Sequence, residues 1–94
     1  PTAIFATDDI KAVGAYKAIT ELGLKIPDDI SIIGHNNYDI SQVTNPPLTT
    51  IDVPISKLGQ VGTEILFDLI DGKTPPVRTI LETKFIIRES CRPL

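Results

Sequence analysis

Thr2-Ala3-Ile4-Phe5-Ala6-Thr7-Asp8-Asp9 is an apolar run that stops at two adjacent carboxylates and opens into a helical pattern. Its apolar part is too short for a helix and is bounded by polar residues, so it reads as a buried strand of a parallel sheet. Open α/β sheets place ligand contacts beyond the carboxyl ends of such strands, beside a helix start. The stretch therefore predicts an α/β fold with a parallel sheet, and it also marks where a site would lie.

Working outward, Asp8 or Thr7 can cap the helix that follows, and a negative charge suits the positive end of its dipole. At helical spacing Ala12, Ala15, Ala18, Ile19 and Leu22 share one face, small enough to lie close on a sheet. Val13, Tyr16 and Thr20 make a second, weaker apolar edge. Gly23 supplies the left-handed position that ends the helix. Ile30-Ser31-Ile32-Ile33 is a β-branched run closed by Gly34, which completes a βαβ unit. Beyond Gly34, His35-Asn36-Asn37-Tyr38-Asp39 is a polar loop, so the two strand ends place Asp8, Asp9, His35, Asn36 and Asn37 on one rim.

Pro46-Pro47 halts any helix begun near Ile40 to Val43, and Leu48 to Val53 is extended up to Pro54. Ser56 is a candidate cap for a second helix running to about Asp71, with Leu58, Val61, Ile65, Leu66, Leu69 and Ile70 on one side. Phe67 falls in its polar arc and reads as an isolated surface apolar residue. After the Pro75-Pro76 loop, Ile80 to Arg88 has strand character. Neither an internal repeat nor a low-complexity segment interrupts this order.

The composition narrows the function. The chain has 94 residues, 41% hydrophobic and 22% charged, which suits one small soluble α/β unit. It starts at Pro1 and contains no Met, so it reads as a piece of a longer chain. No apolar run approaches the roughly 20 residues of a spanning helix, and no membrane partner is expected. The net charge of −3, with basic residues scattered, lacks a nucleic-acid footprint; a DNA contact would have to come from elsewhere in the protein. The single Cys91 cannot form an internal disulfide and fits a reducing compartment.

Asp8 with Asp9 could hold a metal, act as a general acid/base pair, or accept hydrogen bonds from a polyhydroxyl ligand; as helix-start residues they could equally be a cap and a dipole partner. No third carboxylate motif converges on them, so no metal is expected. Asp accepts and Asn both donates and accepts, so the rim suits sugar hydroxyls or a purine edge better than an anion. His35 has no nucleophile elbow to serve, and no phosphate-binding glycine loop occurs. No catalytic residue and no cofactor is expected, and Cys91 reads as an inert thiol.

The blocks Pro1 to Asp9 with Ala12-Val13-Gly14-Ala15, Gly23 to Gly34, Asn45-Pro46-Pro47-Leu48-Thr49-Thr50-Ile51, and Phe85 to Ser90 together resemble the effector-binding core of LacI/GalR-type transcriptional repressors over essentially the whole chain. That resemblance implies a type I periplasmic-binding-protein fold of two α/β subdomains, a homodimer, a small-molecule effector of sugar type, a cytoplasmic location and DNA binding through an N-terminal helix-turn-helix domain. It assigns residues 1–48 to the C-terminal subdomain, 49–79 to a segment of the N-terminal subdomain, and 80–94 to the hinge return strand and tail. The apolar face of the second helix would then pack on strands outside this chain.

The resemblance gives Asp8 and Asn36 as effector contacts, with His35 and Asn37 beside them, Asp9 as a structural or capping residue, and the Val13 and Tyr16 edge as dimer surface. In the family the position of Asp8 is commonly Asn and that of Asn36 commonly Asp; here the two types are exchanged. A periplasmic sugar-binding protein of a transport system shares the strand-to-acid motif and is the alternative reading. The Pro-Pro-Leu-Thr-Thr block and the Arg-Glu-Ser ending favour the regulators.

Overall fold

The computed structural model describes residues 1–94. The chain runs β1 (Ala3–Phe5), α1 (Asp9–Glu21), β2 (Ser31–Ile33), α2 (Ile40–Val43), β3 (Thr50–Asp52), α3 (Ile55–Ile70) and β4 (Lys84–Ile86). It divides into two units, one formed by Pro1–Val53 with Lys84–Leu94 and the other by Pro54–Thr83.

In the first unit the two apolar runs pair in parallel, with Ile4 opposite Ile32, and α1 makes the crossover between them. Ladder hydrogen bonds continue past the strand ends, from Ser31 N to Thr2 O (2.9 Å) and from Ala6 N to Ile33 O (2.8 Å). A parallel bridge from Ile33 to Thr49 brings the lead-in of β3 alongside β2, and β3 then pairs antiparallel with β4. The return strand is thus antiparallel to its neighbour and shorter than its sequence predicts. Residues 80–83 stay outside it, since β3 offers only three residues to pair with.

The core is built from Ala6, Ala12, Tyr16, Ile19, Ile32 and Leu48, with Ile32 and Leu48 fully enclosed. Each of those two contributes about 1.5–3 kcal/mol by burial. The buried side of α1 is Asp9, Ala12, Tyr16 and Ile19, with Ala15 packed beside it; Ala12, Ala15 and Ile19 lie where spacing predicts, whereas Ala18 and Leu22 face outward. Tyr16 reaches under the chain, and its hydroxyl donates to Pro46 O at 2.9 Å. The helix ends at Gly23, which has φ +74°, a conformation that carries no steric penalty for a residue without Cβ.

In the second unit α3 has no fully buried residue. Val61 and Ile65 are half-buried and line a cavity of about 300 Å³ with Pro76, Val77 and Leu81, while Leu58, Leu66, Leu69 and Ile70 are open to solvent. Phe67 is also exposed, on the polar side of the helix. Ser56 does not cap α3: the capping position falls to Pro54, which has no side-chain donor or acceptor to offer, and the helix begins one residue before the serine. No helix is long and apolar enough to cross a membrane.

Candidate functional site

The rim at the carboxyl ends of β1 and β2 is closed by backbone bonds. Asp9 N donates to His35 O at 3.1 Å, so the start of α1 and the loop after β2 are one connected edge. Gly34 lies between them, and its missing side chain is what permits the approach. A Cβ there would fall inside the Asp9 carboxyl group and within 2.8 Å of Leu48 Cδ2.

The two adjacent acids divide their work. Asp8 is the N-cap of α1: its Oδ1 accepts from Lys11 N at 2.8 Å and its Oδ2 pairs with Lys11 Nζ at 3.1 Å. The hydrogen bond from the Lys11 backbone, with Lys11's side chain adding to it, holds the Asp8 carboxyl below its ordinary range. Asp9, expected as the structural or capping residue, does not cap, because it already lies inside the first turn. Its side chain turns inward, fully buried, and accepts from Tyr38 N (2.6 Å) and Thr50 Oγ1 (2.6 Å). It ties the rim loop and β3 to the helix start.

Since the folded-state pKa of Asp8 is depressed, its charged form adds stability above its ordinary value of 3.8, and that contribution disappears as pH falls through the lower folded value. Asp8→Asn keeps a capping oxygen but removes the charge. We expect it to lower the neutral-pH thermal midpoint slightly, because the charge-dependent part is gone, and to flatten the fall of that midpoint between about pH 5 and pH 2, so that the variant and the unmutated protein converge at low pH. Asp8→Ala, which removes the cap as well, should lower the midpoint at neutral pH. Thermal scans across that pH range check both outcomes.

His35, Asn36 and Asn37 do come together. His35 Nδ1 lies 3.0 Å from Asn36 Oδ1, Asn36 Nδ2 donates to the Tyr38 hydroxyl at 3.2 Å, and Phe5 meets the His35 ring edge to face at 6.5 Å between centroids. Asn36 and Asn37 both have positive φ, +98° and +56°, a region that asparagine enters more readily than other side-chain-bearing residues. Asn36 remains half-buried with polar capacity to spare. Asn37 is committed to the fold: its Oδ1 accepts from Arg88 Nη2 (2.8 Å) and the Ser41 hydroxyl (3.2 Å), and its Nδ2 donates to Asp52 Oδ1 (3.2 Å). No hydrogen bond joins Asp8 to Asn36.

Of the edge predicted as dimer surface, Tyr16 is largely enclosed by its own chain, and burial pushes its phenol pKa up. Its hydroxyl is occupied by Pro46 O, so it has little surface left to offer a partner. Val13 is half-buried and lines an open apolar groove of about 440 Å³ together with Thr20, Ile40 and Val43.

Sequence reading missed Arg88, Ser41, Asp52 and Ser90. Ser90 is fully buried; its Oγ accepts from Thr49 N (2.8 Å) and donates to Ile32 O (2.6 Å), which links β2, the approach to β3 and the tail. The Arg-Glu-Ser block marked Arg88 and Ser90 without indicating their contacts, and no signal marked Ser41 or Asp52. No three His, Cys, Asp or Glu side chains converge as a metal would require.

A sequence model of the periplasmic binding protein-like domain matches residues 1–91. The HTH-type transcriptional regulator MalR of Clostridium butyricum is 43% identical over 90 residues, covering 96% of this chain and 27% of that protein. The ribose operon repressor of Haemophilus influenzae is 42% identical over 91 residues, covering 96% of this chain and 27% of that protein. Among solved structures, a LacI family transcriptional regulator from Enterococcus faecium with bound ribose matches at a TM-score of 0.87 and 39% identity, over 99% of this chain and 35% of that chain. The chain thus spans about a quarter of the length of the curated relatives it matches. A strand that delivers two acids to a helix start, a second strand closed by glycine, and transcriptional regulators aligned over nearly every residue give one answer: the chain belongs to the periplasmic binding protein-like family.

Proposed function

We propose that this chain is the effector-sensing and dimerising segment of a cytoplasmic, non-catalytic transcriptional repressor whose ligand is a sugar or sugar derivative. The observation that carries the reading is the rim of Asp8, His35 and Asn36 at the ends of β1 and β2, in a chain aligned over 99% of its length with a regulator that holds ribose. A carboxyl acceptor and an amide that both donates and accepts are what a row of hydroxyl groups requires. In this reading Asp8 and Asn36 touch the effector, His35 flanks them, and Asn37 contributes mainly through its neighbours. Val13 and the groove beside α2 form part of the dimer surface, with Tyr16 supporting it from within. Residues 1–48 belong to the C-terminal subdomain, 49–79 to a segment of the N-terminal subdomain, and 80–94 to the returning strand and tail.

The ligand can control DNA only by binding one arrangement of the protein more tightly than another. Calorimetric titration of the complete protein with D-ribose and cellobiose, alongside DNA binding to its own promoter region, tests this. One sugar should bind and shift DNA affinity by at least about fivefold. Asp8→Ala or Asn36→Ala should weaken that sugar by about tenfold, the equivalent of one lost hydrogen bond. If sugars bind but DNA affinity stays constant, the sensor reading fails.

A further inference from the structure

The rim is held from behind by a side chain outside it. Arg88, two residues beyond β4, places its guanidinium against three acceptors: Nη1 donates to Ser41 Oγ and to Leu48 O, both at 2.8 Å, and Nη2 donates to Asn37 Oδ1 at 2.8 Å. Its backbone N–H donates to Thr49 Oγ1 at 3.0 Å. Asn37 passes the chain of contacts on, donating to Asp52 Oδ1 at 3.2 Å. An amide is thus fixed between a cation and a carboxylate, an arrangement in which each hydrogen bond polarises the next. The residue fixed in this way stands at φ +56°, directly after Asn36 at φ +98°. Two consecutive left-handed residues with side chains are unfavourable on their own and persist only where surrounding contacts hold them.

We propose that Arg88 is a positioning residue for effector binding: by locking the Asn37 amide it holds the left-handed turn at Asn36–Asn37 and so aims the Asn36 side chain. The inference rests on the effector-binding reading above. The planar fork is essential, because adjacent nitrogens must reach Asn37 and Leu48 together; a lysine ammonium is a single point of donation. The device also connects the returning strand to the rim, so a displacement of β4 is felt at Asn36.

The test uses the complete protein carrying Arg88→Met, Arg88→Lys, Asn37→Ala, or Arg88→Met with Asn37→Ala. Two quantities are read well below each variant's melting temperature. One is the Kd for D-ribose or cellobiose, whichever binds the unmutated protein; the other is amide hydrogen exchange at Asn36 and Tyr38 relative to Ile19 in α1. Arg88→Met and Asn37→Ala should each raise Kd by about tenfold and accelerate exchange at Asn36 and Tyr38 but not at Ile19. The double variant should be no worse than either single one, because the two residues act through each other. Arg88→Lys should fall between.

A lowered melting temperature with unchanged Kd per folded molecule would reduce Arg88 to a purely structural residue and overturn the proposal. If neither sugar binds the unmutated protein, the effector reading fails for that class and exchange alone decides: unaltered rates at Asn36 and Tyr38 refute the positioning role, and selective acceleration supports it. Should Arg88→Met not fold, Asn37→Ala carries the same two readouts from a half-buried loop position.

Discussion

Gly34→Ala is expected to destabilise the first unit by about 3 kcal/mol, a large loss for a single methyl group. The added carbon would overlap the Asp9 carboxyl and press on Leu48 Cδ2, and both neighbours are fully buried. Neither can swing into solvent, so either the backbone of β2 moves or Asp9 gives up its bonds to Tyr38 and Thr50. Urea denaturation of the complete protein followed by far-UV circular dichroism reads the loss. The clash should also be coupled to its partner: in an Asp9→Ala background, where the carboxyl is gone, Gly34→Ala should cost distinctly less than in the unmutated protein. Strict additivity of the two changes would show that the overlap is relieved some other way.

Asp9→Ala itself should cost about 2–4 kcal/mol. It strands the Tyr38 N–H and the Thr50 hydroxyl in a site where Asp9, Thr50 and Gly34 are all buried, and it leaves a space where the carboxyl was. Asp9→Asn should be milder, about half as costly, because its oxygen can still accept from Tyr38 N while its amide donates to a Thr50 hydroxyl that has turned to accept. The order Ala worse than Asn distinguishes a buried acceptor from a surface helix-dipole residue, for which the two changes would both be small. Equal and small losses would return Asp9 to the dipole role. The same denaturation measurement settles both.

These two residues also show how far the sequence could be read. β2 and Gly34 were legible because a short apolar run closed by glycine has few alternatives; β1 was legible as a parallel strand but not as a buried one, since Ala3 and Phe5 are exposed and only Ile4 packs on the core. The division between Asp8 and Asp9 was only half legible: spacing placed both at a helix start, but only the three-dimensional path of residues 38 and 50 decides which carboxyl turns inward. The buried side of α1 was legible in part: Ala12, Ala15 and Ile19 lie against the core as their spacing indicated, but alanines give little directional signal, and the enclosed Asp9 and Tyr16 turn the face so that Ala18 and Leu22 point outward. Ser56 looked like a cap because the residue type is right, whereas the helix starts before it. Arg88, Ser41 and Ser90 were illegible for a different reason. The contacts joining Arg88 to Ser41 and Leu48, and Ser90 to Thr49, span 40 or more residues of chain, and no local pattern records a contact at that separation.

The first unit is discontinuous in the chain: residues 54–83 come between its main body and the strand and tail that complete it. A ribosome delivers the chain from its amino end, so β1, α1, β2 and β3 emerge while Ile32 O and Thr49 N still await Ser90. Until the last stretch is released, the Arg88 fork is absent as well, and Asn37 has only Ser41 and Asp52 to hold it. The contacts that hold the Asn36–Asn37 turn are therefore complete only once residues 88–90 have emerged, well after the strands they brace.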